Sequence, residues 1–175
     1  MEIASIIFLI PILLLIIYQD FKERAISIWL IPALLIAFLL GNNYSTISEY
    51  ITTVAINLSF LLLQFILLSL YFSIKQKRII NISNTKIGIG DLLFFITLAF
   101  AFSTMHFILV FVLGLMFSLI LFIVLKFTKL IKQETIPLAG TFSVFIMLIK
   151  IGAYLTSYNL INDDKIITKL YTVYG

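Results

Sequence analysis

Two carboxylates in this sequence stand where acid–base chemistry is possible. Asp91 lies in "NTKIGIGDLL", after Gly88 and Gly90 and before an apolar, aromatic run, while Asp20 lies in "YQDFKER", where the first apolar stretch ends. Two carboxylates held close in a poorly solvated site cannot both ionise at low cost, because repulsion and desolvation oppose the second charge, and one of them keeps its proton. The ionised member can then take a proton from water while the protonated one polarises a peptide carbonyl. Gly88 and Gly90 carry no Cβ, so they are expected to permit unusual backbone dihedrals and the close approach of a substrate strand. A helix starting near Gly88 would also favour negative charge on Asp91.

Each aspartate alone has a plainer reading. Asp20 sits beside Lys22, Glu23 and Arg24 and could be one of several interfacial charges. Asp91 could be a helix-start carboxylate after a glycine-rich turn. What separates the readings is whether the surrounding elements bring the two together.

Those elements are set by a composition that is 62% hydrophobic and 11% charged over 175 residues, too apolar for the surface of a soluble domain of this size. The expected fold is all-α: a polytopic membrane bundle of about six helices over residues 3–18, 26–40, 51–74, 88–102, 107–127 and 136–155. Pro11 and Pro32 fall inside spans and are expected to kink them. The N-terminal stretch carries Glu2 rather than a basic residue and lacks a small-residue cleavage site, so it reads as a retained first span. The fourth segment is the shortest, and fusing it with the fifth through "STMH" would give one helix far longer than a bilayer requires.

Charge chooses between the two arrangements. With six spans, Lys22, Arg24, Lys75, Lys77, Arg78, Lys86, Lys126, Lys129 and Lys132 all fall on one side. The opposite connections, "GNNYSTISEY" and "STMH", hold neither Lys nor Arg. The positive-inside rule therefore places the basic set in the cytosol and the N-terminus outside. Residues 1–155 form the membrane domain and 156–175 a polar external extension, in which Asp163, Asp164 and Lys165 read as solvated. In this arrangement Asp20 and Asp91 share the cytosolic face, and a carboxylate partly inside the apolar layer is costly and usually functional.

Other chemistries are poorly supplied. Cysteine is absent and His106, the sole histidine, falls in the external turn, so no metal ligand set is expected. Ser27, Thr85 and Thr135 have no base at a recognisable spacing for nucleophilic catalysis. Glu134 and Lys86 are weak substrate-binding candidates, read more simply as a helix-start charge and a topology-setting lysine. The net charge of +4 resides in short clusters between apolar runs, which argues against nucleic acid as a partner. The 17 phenylalanines suit lipid-facing and interhelical packing, and the small residues of "AFAFS" and "LAGTFS" allow helices to approach closely. No cofactor is implied, and no residue pattern fixes an oligomeric state.

At three places, in the same order, the sequence resembles the prepilin peptidases and the related archaeal preflagellin peptidases, membrane aspartic peptidases of the GxGD type. "YQDFKERAISIWL" is similar to the Asp-containing stretch that ends their opening helix, "GIGD" fits the GxGD motif, and "IPLAG" resembles the proline-containing start of their last core helix. The resemblance implies that Asp20 and Asp91 are the catalytic pair, with Gly88 and Gly90 as motif support. It further implies an inner-membrane endopeptidase that cleaves the basic leader of type IV pilin-like precursors on the cytosolic side. Departures occur at Ser27 and Ile28, where many relatives carry Pro-Asn, and at Leu93, where many carry Lys. The cytosolic region with cysteine pairs that accompanies N-methylation in larger members has no counterpart here, so the likeness is to the small, peptidase-only branch. Presenilin-like proteases carry Pro-Ala-Leu after GxGD, whereas here Pro32, Ala33 and Leu34 precede it. The alternative function is that of a non-catalytic membrane carrier or an assembly partner in a pilus or secretion apparatus, with Asp91 binding a proton, a cation or a basic peptide.

Overall fold

A computed structural model describes residues 2–40, 46–76, 88–128 and 136–156. Within them lie six helices and no strand: α1 (Glu2–Glu23), α2 (Leu30–Leu39), α3 (Ile47–Gln76), α4 (Ile89–Ala99), α5 (Thr104–Phe127) and α6 (Leu138–Thr156). Among the described residues, α3 and α5 are the two helices long and apolar enough to cross a membrane. Their outward surfaces are apolar too: Leu62, Leu63 and Leu70 on α3 and Leu109, Met116 and Ile120 on α5 are each about half exposed or more. Water would not favour such a surface, and a bilayer would.

The division between the fourth and fifth segments is real. α4 stops at Ala99 and α5 starts at Thr104, where the Phe107 N–H donates to Ser103 O at 2.8 Å and Ser103 Oγ lies 2.8 Å from His106 Nδ1. The second and fourth segments, by contrast, yield shorter helices than expected. α2 has ten residues and α4 eleven, so at about 1.5 Å per residue each covers roughly half of a hydrocarbon layer about 30 Å thick. The α2 segment loses its first turn because residues 24–29 are committed to a reversal. Arg24 closes α1 with φ 55°, its N–H donating to Asp20 O at 3.2 Å, and the Ser27 N–H donates to Gln19 Oε1 at 2.8 Å.

The expected kink at Pro32 does not arise. Pro32 is in the first turn of α2, where a backbone N–H would have no intrahelical partner and its loss costs nothing. Pro11 lies inside α1, which is helical from Glu2 to Glu23.

The core is aromatic. α6 packs against α1, α4 and α5, and α4 also packs against α2 and α3. Phe95 of α4 meets Phe142 of α6 edge-on with centroids 5.0 Å apart and Phe111 of α5 at 5.4 Å. Such pairs contribute about 0.5–1.5 kcal/mol each beyond the area they bury. Phe142 sits against Gly114 of α5, where a Cβ would overlap its ring. As expected of the small residues, Ala99, Ala101 and Ala139 are almost wholly buried.

Asn57 fixes the far end of α4, a role that its place in an apolar run did not announce. It is fully buried, and its Nδ2 donates to Ala99 O at 3.0 Å and to Phe102 O at 2.9 Å. Those carbonyls close a helix too short to hide them otherwise. Asn57→Leu leaves both without a donor and is expected to lower stability by about 2–3 kcal/mol, read as a fall in thermal midpoint in detergent. An unchanged midpoint would show that the two carbonyls have other partners.

Candidate active site

α6 begins at a proline. Pro137 precedes its first residue, and the Thr141 N–H closes the first turn on Pro137 O at 2.9 Å. The Thr141 hydroxyl bonds the same carbonyl at 2.8 Å and Ser118 Oγ of α5 at 2.7 Å. The earlier amides of a first turn have no partner inside their own helix. Two of them are taken by the two aspartates: the Ala139 N–H donates to Asp91 Oδ1 at 3.1 Å, and the Gly140 N–H donates to Asp20 Oδ2 at 2.6 Å.

The carboxylates thus come from 48 and 120 positions away to neighbouring amides. Those amides belong to consecutive residues, whose Cα atoms are about 3.8 Å apart, so both carboxylates meet the same turn of α6. Asp20, at 5% exposed, is buried, and Asp91 is half-buried. The Gly88 N–H also donates to Asp91. Asp91 therefore has both roles considered for it: it is a helix-start carboxylate in the first turn of α4, and it faces Asp20 across the start of α6.

The motif glycines do not adopt unusual dihedrals, contrary to expectation. Gly88 is extended, with φ −65° and ψ 146°, and no described glycine has a positive φ. At Gly90 a Cβ would lie 3.4 Å from Ile26 Cβ, an ordinary van der Waals contact, so Gly90 faces the reversal at residues 24–29 without being required by space. The tighter glycine is Gly140, where a Cβ would lie 3.0 Å from both Asp20 Oδ2 and Phe21 Cδ2. Gly140→Val should displace Asp20 from its amide and cost about 1–3 kcal/mol, measured by denaturation; Asp20→Ala in the same chain should restore part of the loss by making room.

Arg24 was grouped with the interfacial charges, but its left-handed backbone turns it inward. Both terminal nitrogens of its guanidinium are buried, and Asp20 and Asp91 both act on it electrostatically. Burial pulls the guanidinium below its ordinary value, and the two carboxylates oppose that shift. A positive φ at a helix end normally selects glycine or asparagine, so nothing in the residue type signals this turn at Arg24.

The remaining candidates divide simply. Ser27 is exposed, and its N–H is engaged by Gln19. His106 lies beyond the end of α4 opposite to Asp91. Lys86, Thr85, Glu134 and Thr135 lie outside the described residues, as do Lys77, Arg78, Lys129, Lys132 and residues 157–175, including Asp163, Asp164 and Lys165. No group of three or more metal-ligating side chains occurs among the described residues.

The assembled site has two carboxylates, the positive end of a helix and one guanidinium. No protein-family model, curated protein or solved structure matches this chain.

Proposed function

We propose that the protein is a membrane aspartic endopeptidase that removes the basic leader of type IV pilin-like precursors at the cytosolic face of the inner membrane. The observation that carries this reading is the meeting of Asp20 and Asp91 at adjacent amides of α6. The ordered likeness of the Asp20 stretch, "GIGD" and "IPLAG" to prepilin and preflagellin peptidases supports it, because those three stretches are the ones that converge. The six-span arrangement with the N-terminus outside belongs to the same proposal, with the short α2 and α4 accommodated by local thinning of the bilayer.

In the proposed reaction the pair shares one proton. The ionised carboxylate removes a proton from water as its oxygen bonds to the scissile carbonyl carbon, and the protonated carboxyl donates to the carbonyl oxygen. Collapse of the tetrahedral species breaks the C–N bond: the departing amine takes the proton that the first carboxylate received, and one hydroxyl of the gem-diol returns its proton to the second carboxylate, which leaves a carboxylic acid product and restores the shared proton. Arg24 and the α6 amides are fixed charges and dipoles that require no rearrangement during these steps. The test is co-expression with a pilin-like precursor, with mass spectrometry to detect the shortened product and the site of cleavage.

One observation favours a second reading. Each aspartate satisfies an otherwise unpaired amide of α6, and helix capping of this kind needs no reaction. A non-catalytic carrier or assembly partner would bind the leader peptide and leave it intact from acidic to neutral pH.

A further inference from the structure

Three exposed lysines stand on matching seats. Lys22 Nζ lies 5.0 Å from the Tyr18 ring centroid and donates to the Tyr18 hydroxyl at 2.9 Å. Lys75 Nζ lies 5.9 Å from the Tyr71 ring, and Lys126 Nζ lies 5.8 Å from the Phe122 ring. In every case the aromatic residue comes four positions earlier, and the pair occupies the last turns of α1, α3 or α5. That spacing stacks the two side chains on one helix face, with the ring toward the apolar middle and the ammonium toward the end.

All three pairs lie at the same end of the bundle as the two aspartates. Lys22 lies two residues after Asp20 on α1. On α5, Ser118 meets Thr141 at the start of α6, and Lys126 lies about 12 Å further on at 1.5 Å per residue. On α3, Asn57 meets the opposite end of α4. Lys75 lies about 27 Å along α3 from there, more than twice the distance of about 12 Å from Ala99 back to Asp91. The lysines thus form a rim outside the level of the carboxylates. Phe127, at 84% exposed, and Trp29, at 81%, are set at this end as well.

An aromatic ring under a cation, repeated around apolar helices, suits the headgroup zone of a bilayer, where rings sit among glycerol and carbonyl groups and ammonium groups reach phosphate. The rim is positive, so its complement is negative. We propose that this end of the bundle is a docking surface for anionic phospholipid headgroups, whose phosphates are held by Lys22, Lys75 and Lys126 above their aromatic seats. The partner is the lipid itself, and the surface holds the carboxylates just beneath an anionic leaflet. This inference does not depend on the proposed peptidase reaction.

The test uses the full chain in phosphatidylcholine bilayers containing a trace of spin-labelled phosphatidylglycerol or spin-labelled phosphatidylcholine. The motionally restricted fraction of the spectrum gives the relative affinity of each lipid for the protein surface. The expected preference for phosphatidylglycerol is about fivefold, the effect of one basic residue close to an anionic surface. K22Q/K75Q/K126Q should cut that preference by half or more, and K22R/K75R/K126R should retain it. An unchanged preference in the glutamine variant would overturn the proposal. At equal ionic strength, inorganic phosphate should displace the labelled lipid no better than chloride; selective displacement by phosphate would mark a free-anion site and overturn the lipid assignment.

Discussion

On the proposed function, Asp20→Asn and Asp91→Asn are each expected to abolish cleavage of a pilin-like precursor while leaving the bundle folded. Asparagine keeps a carbonyl oxygen that can accept from the α6 amide, so the bonds to Gly140 and Ala139 have a replacement acceptor. It cannot exchange a proton with water or with a peptide carbonyl. Loss of an acid–base group costs about 10²–10⁴ in rate, and in a pair that shares a proton the double variant is expected to be little worse than either single one. The same requirement for one proton on two groups gives a cleavage rate that falls on both sides of an optimum pH. Cleavage by either single variant at the parental rate would leave Asp20 and Asp91 as helix caps alone.

Gly114→Val is expected to be among the most damaging changes away from the site. Phe142 is fully buried and occupies the space where the new side chain would go, and the same ring packs against Phe94, Phe95 and Phe111. Phe142 is two residues from Gly140 on α6, so a shift that relieves the clash also moves the amides that hold the aspartates. The expected loss is about 3 kcal/mol, at the upper end of overpacking costs. Phe142→Ala alone opens a cavity and should cost about 3–5 kcal/mol. Together the two changes should cost clearly less than their separate effects combined, because the valine fills part of the cavity. Strict additivity in thermal or denaturant unfolding would show that Gly114 and Phe142 are not neighbours.

Much of the site was legible in the residues. Positive charge on one set of connections put Asp20 and Asp91 at one depth, and the break between the fourth and fifth segments followed from the same charges. "IPLAG" was read as a helix start, and Pro137 does precede α6. The partner of each carboxylate is not legible in the residues. An amide is present at every residue except proline, and nothing local marks Ala139 and Gly140 as the pair that two distant side chains will reach.

The remaining differences have equally specific causes. Gly88 and Gly90 stand out as motif glycines, but the glycine packed tightly against the site is Gly140, where Asp20 and Phe21 press on the backbone. Arg24 looked like an interfacial charge because its inward turn depends on a left-handed φ that arginine seldom adopts. The second and fourth segments are shorter than expected because apolar residues extend past the helix ends on both, at Ile26 and Ile28 and at Phe100 to Phe102. The reversal at residues 24–29 and the carbonyls gathered by Asn57 set the actual helix limits. Long-range contacts decide such limits, and periodicity does not register them.

The convergence of Asp20 and Asp91 can be measured without substrate. The chain contains no cysteine, so Asp20→Cys combined with Asp91→Cys introduces the only two thiols, which a short bifunctional thiosulfonate can join only if they are close. Rapid linkage within one chain, with both thiols lost together and a single cross-linked peptide found by mass spectrometry, is the predicted result. Two thiols that react independently, or that link only between separate chains, would contradict the paired site.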